Sequence, residues 1–175
     1  MRTGRLNALT DVPGLRVGHA QVAGGRDVAL VLAGRRGWLY EPILRAAEEA
    51  NTRGARVVFV DYVYDDDLPL LYNIADVFAY PSVYEGFGLP AAEALACGTP
   101  TLVSHAGALS EVVGEAAVKL DAQSVDSIAE GLARLLDDAD LRARLSSAGP
   151  GQVAPFTWDA AARKVLGVYE RLGGK

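Results

Sequence analysis

Two carboxylates, Glu85 and Glu93, stand eight positions apart in the stretch YEGFGLPAAEALACGTP, residues 84–100, with Gly86 and Gly88 between them. A carboxylate accepts paired hydrogen bonds from vicinal hydroxyls, as on a ribose or a hexose ring. Pro90 follows the second glycine. Its fixed φ and missing N–H suit the first turn of a helix. Residues 91–96 are good helix formers, and Gly98 with Pro100 ends the run. The stretch therefore reads as a glycine-bearing loop running into a helix N-terminus, with both glycines free to adopt positive φ and to let a ligand approach the main chain. Unpaired N–H groups and roughly half a positive charge at such a start attract an anion without help from a lysine. A phosphate held there between two hydroxyl-accepting carboxylates suits a nucleotide sugar. The same residues also fit a plainer reading, with Glu85 a solvated loop residue and Glu93 a partner for the helix dipole. Spacing alone does not separate the two.

The elements that must position these groups alternate along the chain. VALVLAG (28–34), ARVVFV (55–60), DVFAYPS (76–82), PTLVS (100–104) and AVKLD (117–121) are short apolar runs, as expected of strands covered on both faces. Between the first two, LYEPILRAAEEAN places Leu39, Ile43, Leu44, Ala47 and Ala50 on one helical stripe. DLPLLYNIA reads as a short helix. Beyond residue 121 the pattern is helical: SVDSIAEGLARLLDD has Ser124 as its cap and Val125, Ile128, Leu132 and Leu135 on one stripe, followed by DADLRARLSSAG and TWDAAARKVLGVYERL. The alternation predicts the α/β class, a single Rossmann-like domain over 28–175 with a parallel sheet flanked by helices. A turn-rich, atypical segment, 1–27, precedes it, in which LRVGH (15–19) is expected to add to the sheet edge. Ligands of such sheets bind at the carboxyl ends of the strands, which puts the 82–89 and 61–67 loops on one expected edge.

Several function classes are disfavoured by bulk properties. At 175 residues the chain can build one domain with a sizeable core. Half its residues are hydrophobic and 22% are charged, a soluble globular composition. A net charge of −5 gives no reason to expect nucleic acid or an anionic membrane as the main partner. Cys97 is the single cysteine, so no intrachain disulfide can form. His19 and His105, the two histidines, lie far from it in sequence, and Cys97 reads as a small packed residue rather than a nucleophile. No apolar run approaches the roughly 18 residues of a membrane span, and the first 30 residues lack a signal-peptide core. A cytoplasmic location is the expectation.

EGFGLPAAEALACGTP is similar to the E-x7-E signature of retaining glycosyltransferases of family 4. The resemblance continues in order through LVLAGRRGW, VVFVDYVYDDDLPLLYNIADVFAYPSVYEGFGLP, EALACGTPTLVS, LDAQSVDSIAEGLARLLDDADLR and FTWDAAARKVLGVYE, about residues 28–172. It implies one half of a fold in which two Rossmann-like domains bind a nucleotide sugar between them, this half being the C-terminal, donor-binding one. The activity implied is transfer of a hexose from a nucleoside diphosphate to an acceptor hydroxyl with retention. By the same resemblance Glu85 sits at the catalytic centre and binds hydroxyls of the donor sugar without acting as a nucleophile. Gly86, Phe87, Gly88 and Leu89 line the phosphates, Glu93 takes the ribose hydroxyls, and Tyr62 and Val63 meet the base. Arg35, after the first clear strand, is a further phosphate candidate, with Arg36 beside it. No cofactor is implied beyond the donor substrate, and no metal. Asp65, Asp66 and Asp67 invite a metal reading, but Asp67 before Leu68 and Pro69 is a good helix cap, and the family works without a bound metal.

The chain also departs from that pattern. Family 4 donor domains usually begin with a strand, a Gly-Arg turn and a lysine that holds the diphosphate, whereas no lysine precedes Lys119 here and Gly4-Arg5 is the nearest remnant of the turn. Residues 7–20, NALTDVPGLRVGHA, resemble instead the opening of P1-family self-processing aminopeptidases, with no counterpart of their catalytic serine. Two readings follow. One is a donor-binding domain, incomplete alone and needing an acceptor-domain partner chain. The other is a non-catalytic nucleotide-binding module or a self-associating remnant. If Trp158, Val165, Leu166 and Tyr169 of the last helix form an exposed apolar stripe, it favours a homodimer.

Overall fold

The computed structural model describes residues 21–22, 26–34, 40–105 and 107–173. Arg5, the 15–19 run, Arg35 and Arg36 lie outside the described residues. The chain divides into two compact units, Met1–Ile74 and Ala75–Lys175.

In the first unit a short antiparallel pair, β1 (Gln21–Val22) and β2 (Arg26–Asp27), precedes a parallel pair, β3 (Leu30–Ala33) and β4 (Val57–Val60). Helix α1 (Glu41–Thr52) makes the crossover. Ala47 is buried, with Leu44 and Ala50 half-buried, so the expected stripe holds at these three positions, while Ile43 is 53% exposed and Leu39 lies outside the described residues. The Asn51 side chain ties the helix end to the next strand: its Nδ2 donates to the Val57 carbonyl at 3.1 Å, and its Oδ1 accepts from the Val57 N–H at 2.7 Å. The first residue of β4 thus has its outward backbone groups satisfied by a side chain, as a strand starting away from its ladder requires. Helix α2 (Leu68–Ile74) follows β4. The Asp67 carbonyl accepts from Leu70 N and Leu71 N, so Asp67 does stand at the start of α2.

The second unit is a three-stranded parallel sheet in the order β5 (Phe78–Tyr80), β6 (Thr101–Ser104), β7 (Ala117–Leu120). Helices α3 (Leu89–Ala96), α4 (Leu109–Val113), α5 (Val125–Asp137) and α6 (Ala139–Val153) pack around it, and α7 (Trp158–Gly173) ends the described chain. All four residues of β6 are buried. Successive side chains of a strand point to opposite faces. Val103 accordingly joins one core cluster with Ala91, Leu95, Leu109, Val113 and Val153, and Leu102 joins another with Leu120, Leu135, Leu141 and Leu145. Each fully buried leucine contributes about 1.5–3 kcal/mol relative to exposure. Helices therefore cover both faces of β6, as the continuous apolar run TLV anticipates.

Ser124 caps α5 as expected, its hydroxyl accepting from Ser127 N at 3.2 Å, and the Asp138 side chain caps α6 through Leu141 N. Val125 corrects the expected α5 stripe: it is 80% exposed, while Leu135 is buried and Ile128 and Leu132 pack on the second cluster. At the first helical position its side chain lies beyond the turn that meets the sheet. Helix α4, only five residues long, is too short for its period to be read from the sequence. Helix α7 has no buried residue, and Trp158 is 83% exposed.

Candidate functional site

The Glu85 loop leaves the carboxyl end of β5 and is braced from three sides. Tyr80, the last residue of β5, donates its hydroxyl to Glu85 Oε1 at 2.6 Å. The Ser82 hydroxyl donates to the same oxygen at 2.8 Å. Ser104, the last residue of β6, donates in turn to the Ser82 carbonyl. Burial, then the hydrogen bond to Glu85 and the Glu85 charge, push the Tyr80 hydroxyl up to about 12. Tyr80 is thus a donor throughout the physiological range, facing a carboxylate that accepts.

The third brace is backbone. Ala108 N donates to the Glu85 carbonyl at 3.3 Å. Gly107, at φ +57°, allows that approach, because a Cβ there would stand 2.5 Å from the same carbonyl oxygen. Only glycine fits both the left-handed conformation and the gap.

Helix α3 begins at Gly88, which is buried and left-handed (φ 89°, ψ 56°), with Pro90 in the first turn. A Cβ on Gly88 would also strike Leu109 Cδ2. Ala91 N and Ala92 N bond to the Gly88 carbonyl, but no side chain caps this end. Pro90 has no N–H and that of Ala91 is taken up by this i to i+3 bond, so among the first helical residues the Leu89 N–H is the one left for water or a ligand. Gly86 differs from its expected role: it does not take positive φ, and a Cβ there meets nothing within 4 Å. What it supplies is open space beside the main chain.

The family described as Glycosyl transferases group 1 matches residues 20–152. The chain belongs to this family. O-antigen chain mannosyltransferase B of Escherichia coli is 38% identical over 143 residues, covering 82% of this chain and 37% of the relative. Sucrose-phosphate synthase from Thermosynechococcus elongatus superposes with a TM-score of 0.74 at 31% identity, over 85% of this chain and 39% of that one. Anabaena HepE, solved in complex with UDP, shares the fold with a TM-score of 0.67 at 23% identity, over 85% of this chain and 41% of its own. The chain spans about two fifths of the length of these relatives. Parallel strands flanked by helices are thus the Rossmann-like arrangement of glycosyltransferase domains, in agreement with the expected class. Residues 7–20, with their aminopeptidase-like sequence, lie outside the described residues, and the family match begins at residue 20.

Within this glycosyltransferase domain the predicted site residues fall into distinct groups. Glu85, Gly86, Gly88 and Leu89 come together at the β5 end and the α3 start, with Glu85 half-buried and Leu89 52% exposed. The Phe87 ring is turned edge-on to Phe156 at 5.5 Å, so that side chain is engaged in packing. Glu93 lies on the exposed side of α3, and its charge, after burial, raises the Cys97 thiol. A thiol held protonated is a poor nucleophile, in keeping with the packed role expected of Cys97. Tyr62 and Val63 belong to the first unit, in the loop after β4, where Tyr62 meets Tyr64 edge-on at 5.3 Å. Arg35 lies outside the described residues. Among the described residues no group of three or more His, Cys, Asp or Glu side chains could hold a metal ion, and no helix is long and apolar enough to cross a membrane. Sequence reasoning missed Tyr80, Ser82, Ser104 and Gly107. Hydroxyls five and three residues ahead of Glu85, in YPS, were the signal available for the first two.

Proposed function

We propose that these residues form the donor-binding domain of a retaining glycosyltransferase of the family 4 type, which binds a nucleoside diphosphate hexose and transfers the hexose to a hydroxyl held by polypeptide beyond them. The observation that carries this reading is the braced Glu85 carboxylate standing beside the α3 start that no side chain caps. Glu85 binds the sugar hydroxyls, Gly86 to Leu89 surround the diphosphate through their backbone, and Glu93 takes the ribose. No metal or separate cofactor takes part. The relative named a mannosyltransferase and the HepE structure with UDP-glucose support this substrate class.

The difficult step is departure of the diphosphate as positive charge grows on the sugar ring. N–H donors aimed at the leaving oxygens stabilise that charge separation, each on the order of 3 kcal/mol where preorganised. The Leu89 N–H and those of the glycine loop before it are the donors for this role, since Pro90 has none and those of Ala91 and Ala92 bond to the Gly88 carbonyl. The acceptor then attacks the face that the diphosphate leaves, guided by its oxygens, and configuration is retained.

Calorimetric titration with UDP, GDP and ADP tests the reading, with Glu93→Ala as control. The expected result is saturable binding of one diphosphate, weakened roughly tenfold in the variant, the size of one charge-assisted hydrogen bond. Binding of none, or binding indifferent to Glu93, refutes it. The exposed face of α7 favours a second reading, a nucleotide-binding module that pairs with its own copy. Sedimentation equilibrium separates the two, since a monomer at micromolar concentration removes the second.

A further inference from the structure

We infer that Tyr80 is a positioning residue for Glu85, fixing one carboxylate oxygen so that the other is presented to the donor sugar. The inference rests on the donor-site reading above. Tyr80 and Ser82 both donate to Oε1, at 2.6 and 2.8 Å. Charge-assisted bonds of this length are strong and directional, and two of them on one oxygen leave Oε2 for a ligand's hydroxyls. The two donors are not equivalent. Tyr80 is part of β5, its ring stacks on Phe78 at 6.0 Å with 17° between planes, and it packs against the core cluster of Leu95 and Val103. Ser82 sits in the loop, and its Oγ, with one proton to donate, also lies 3.2 Å from the Tyr84 carbonyl oxygen. The sheet therefore fixes the carboxylate directly through Tyr80, whereas Ser82 reaches it from a loop that Ser104 ties to β6 by its backbone carbonyl. A site mounted on a strand is held more tightly than one mounted on a loop.

A merely structural Tyr80 would use Glu85 as a hydrogen-bond partner with no consequence for ligand choice. The discriminating quantity is the affinity for a nucleotide sugar relative to its own diphosphate. The 175-residue chain is titrated with UDP and UDP-glucose and with GDP and GDP-mannose, as wild type, Tyr80→Phe, Glu85→Gln and the double variant. Tyr80→Phe keeps the ring and removes only the hydroxyl. It is expected to leave diphosphate binding within about twofold and to weaken the nucleotide sugar roughly tenfold, with no further loss in the Glu85→Gln background. A Tyr80→Phe chain that binds sugar and diphosphate as wild type does, or loses both alike, overturns the inference while leaving the donor site standing. A wild type that binds neither pair overturns both. A readout without ligand accompanies these: NMR of the Tyr80 ring Cζ should show its titration, near 12 in the wild type, moving down in Glu85→Gln. An unmoved titration means that the hydroxyl does not sense Glu85, and the inference falls even where nucleotide sugars bind.

Discussion

Replacing Gly107 by alanine should disturb Glu85 through the backbone, leaving every side chain of the site intact. Gly107 has φ +57°, and an added Cβ would lie 2.5 Å from the Glu85 carbonyl oxygen and 3.2 Å from its nitrogen. The left-handed conformation costs a residue with a Cβ about 1–2 kcal/mol. Neither obstructing atom is a flexible side-chain tip, so the loop itself must move. Reaching ordinary contact near 3.4 Å opens the gap by about 0.9 Å. That movement also lengthens the bond from Ala108 N to the Glu85 carbonyl, already 3.3 Å, whose net worth is about 0.5–1.5 kcal/mol. A loss of about 2–3 kcal/mol is expected in urea unfolding, small enough beside a typical 5–15 kcal/mol for the chain to stay folded.

The consequence for the proposed site is larger. Misplacement of a positioned group by about 1 Å costs up to ~10²-fold in transfer rate. Gly86→Ala is the matched control, because its Cβ meets open space and its φ is not positive; its stability should stay within about 0.5 kcal/mol of wild type. Urea titration of both variants, with calorimetry of the nucleotide sugar, gives the answer. A Gly107→Ala protein as stable as Gly86→Ala refutes the packing argument. One that is destabilised yet binds the nucleotide sugar unchanged refutes the claim that the backbone brace places Glu85.

Gly149→Ala, in α6, should cost about 1–2 kcal/mol net although alanine is the better helix former, because its Cβ would lie 2.8 Å from the Leu95 carbonyl of α3; a lower urea midpoint with unchanged slope checks it. Ser124→Ala removes the α5 cap and should lower stability by about 1 kcal/mol, read the same way. Alkaline pH should weaken the fold through Tyr80. Its folded pKa is raised from 10.0 to about 12, so between those values the folded state holds the proton more tightly than the unfolded one. Stability from this group is complete below pH 10 and lost as pH rises toward 12. Tyr80→Phe should show a shallower decline across that window in denaturant titrations at stepped pH.

The order of elements was legible because each apolar run carries one period at a time. TLVS is apolar on both faces and lies in the middle of its sheet with Leu102 and Val103 in different clusters. Ser124 and Asp138 announce their helices by type and position. The helix start at Gly88 was legible for another reason: a glycine followed by a leucine and a proline has few conformations open to it, and one of them starts a helix.

Tyr80, Ser104 and Gly107 were not legible, and the reason is physical. On a strand covered from both sides, burial does not alternate, so periodicity gives no warning that an aromatic at the strand's end carries a hydroxyl in need of a partner. That partner, Glu85, is fixed by a loop path, and the loop path is fixed by contacts to residues 104, 107 and 108, about twenty positions away. Local pattern holds no record of such distances. The same limit explains α7, whose period correctly gives a helix with an apolar side, while Trp158 and Tyr169 stand exposed. A hydrophobic stripe specifies that something covers it, and only the geometry of the rest of the polypeptide specifies what. The residues that set where Glu85 points are therefore best found by asking what each buried hydroxyl near it bonds to, which is how Tyr80 enters the site.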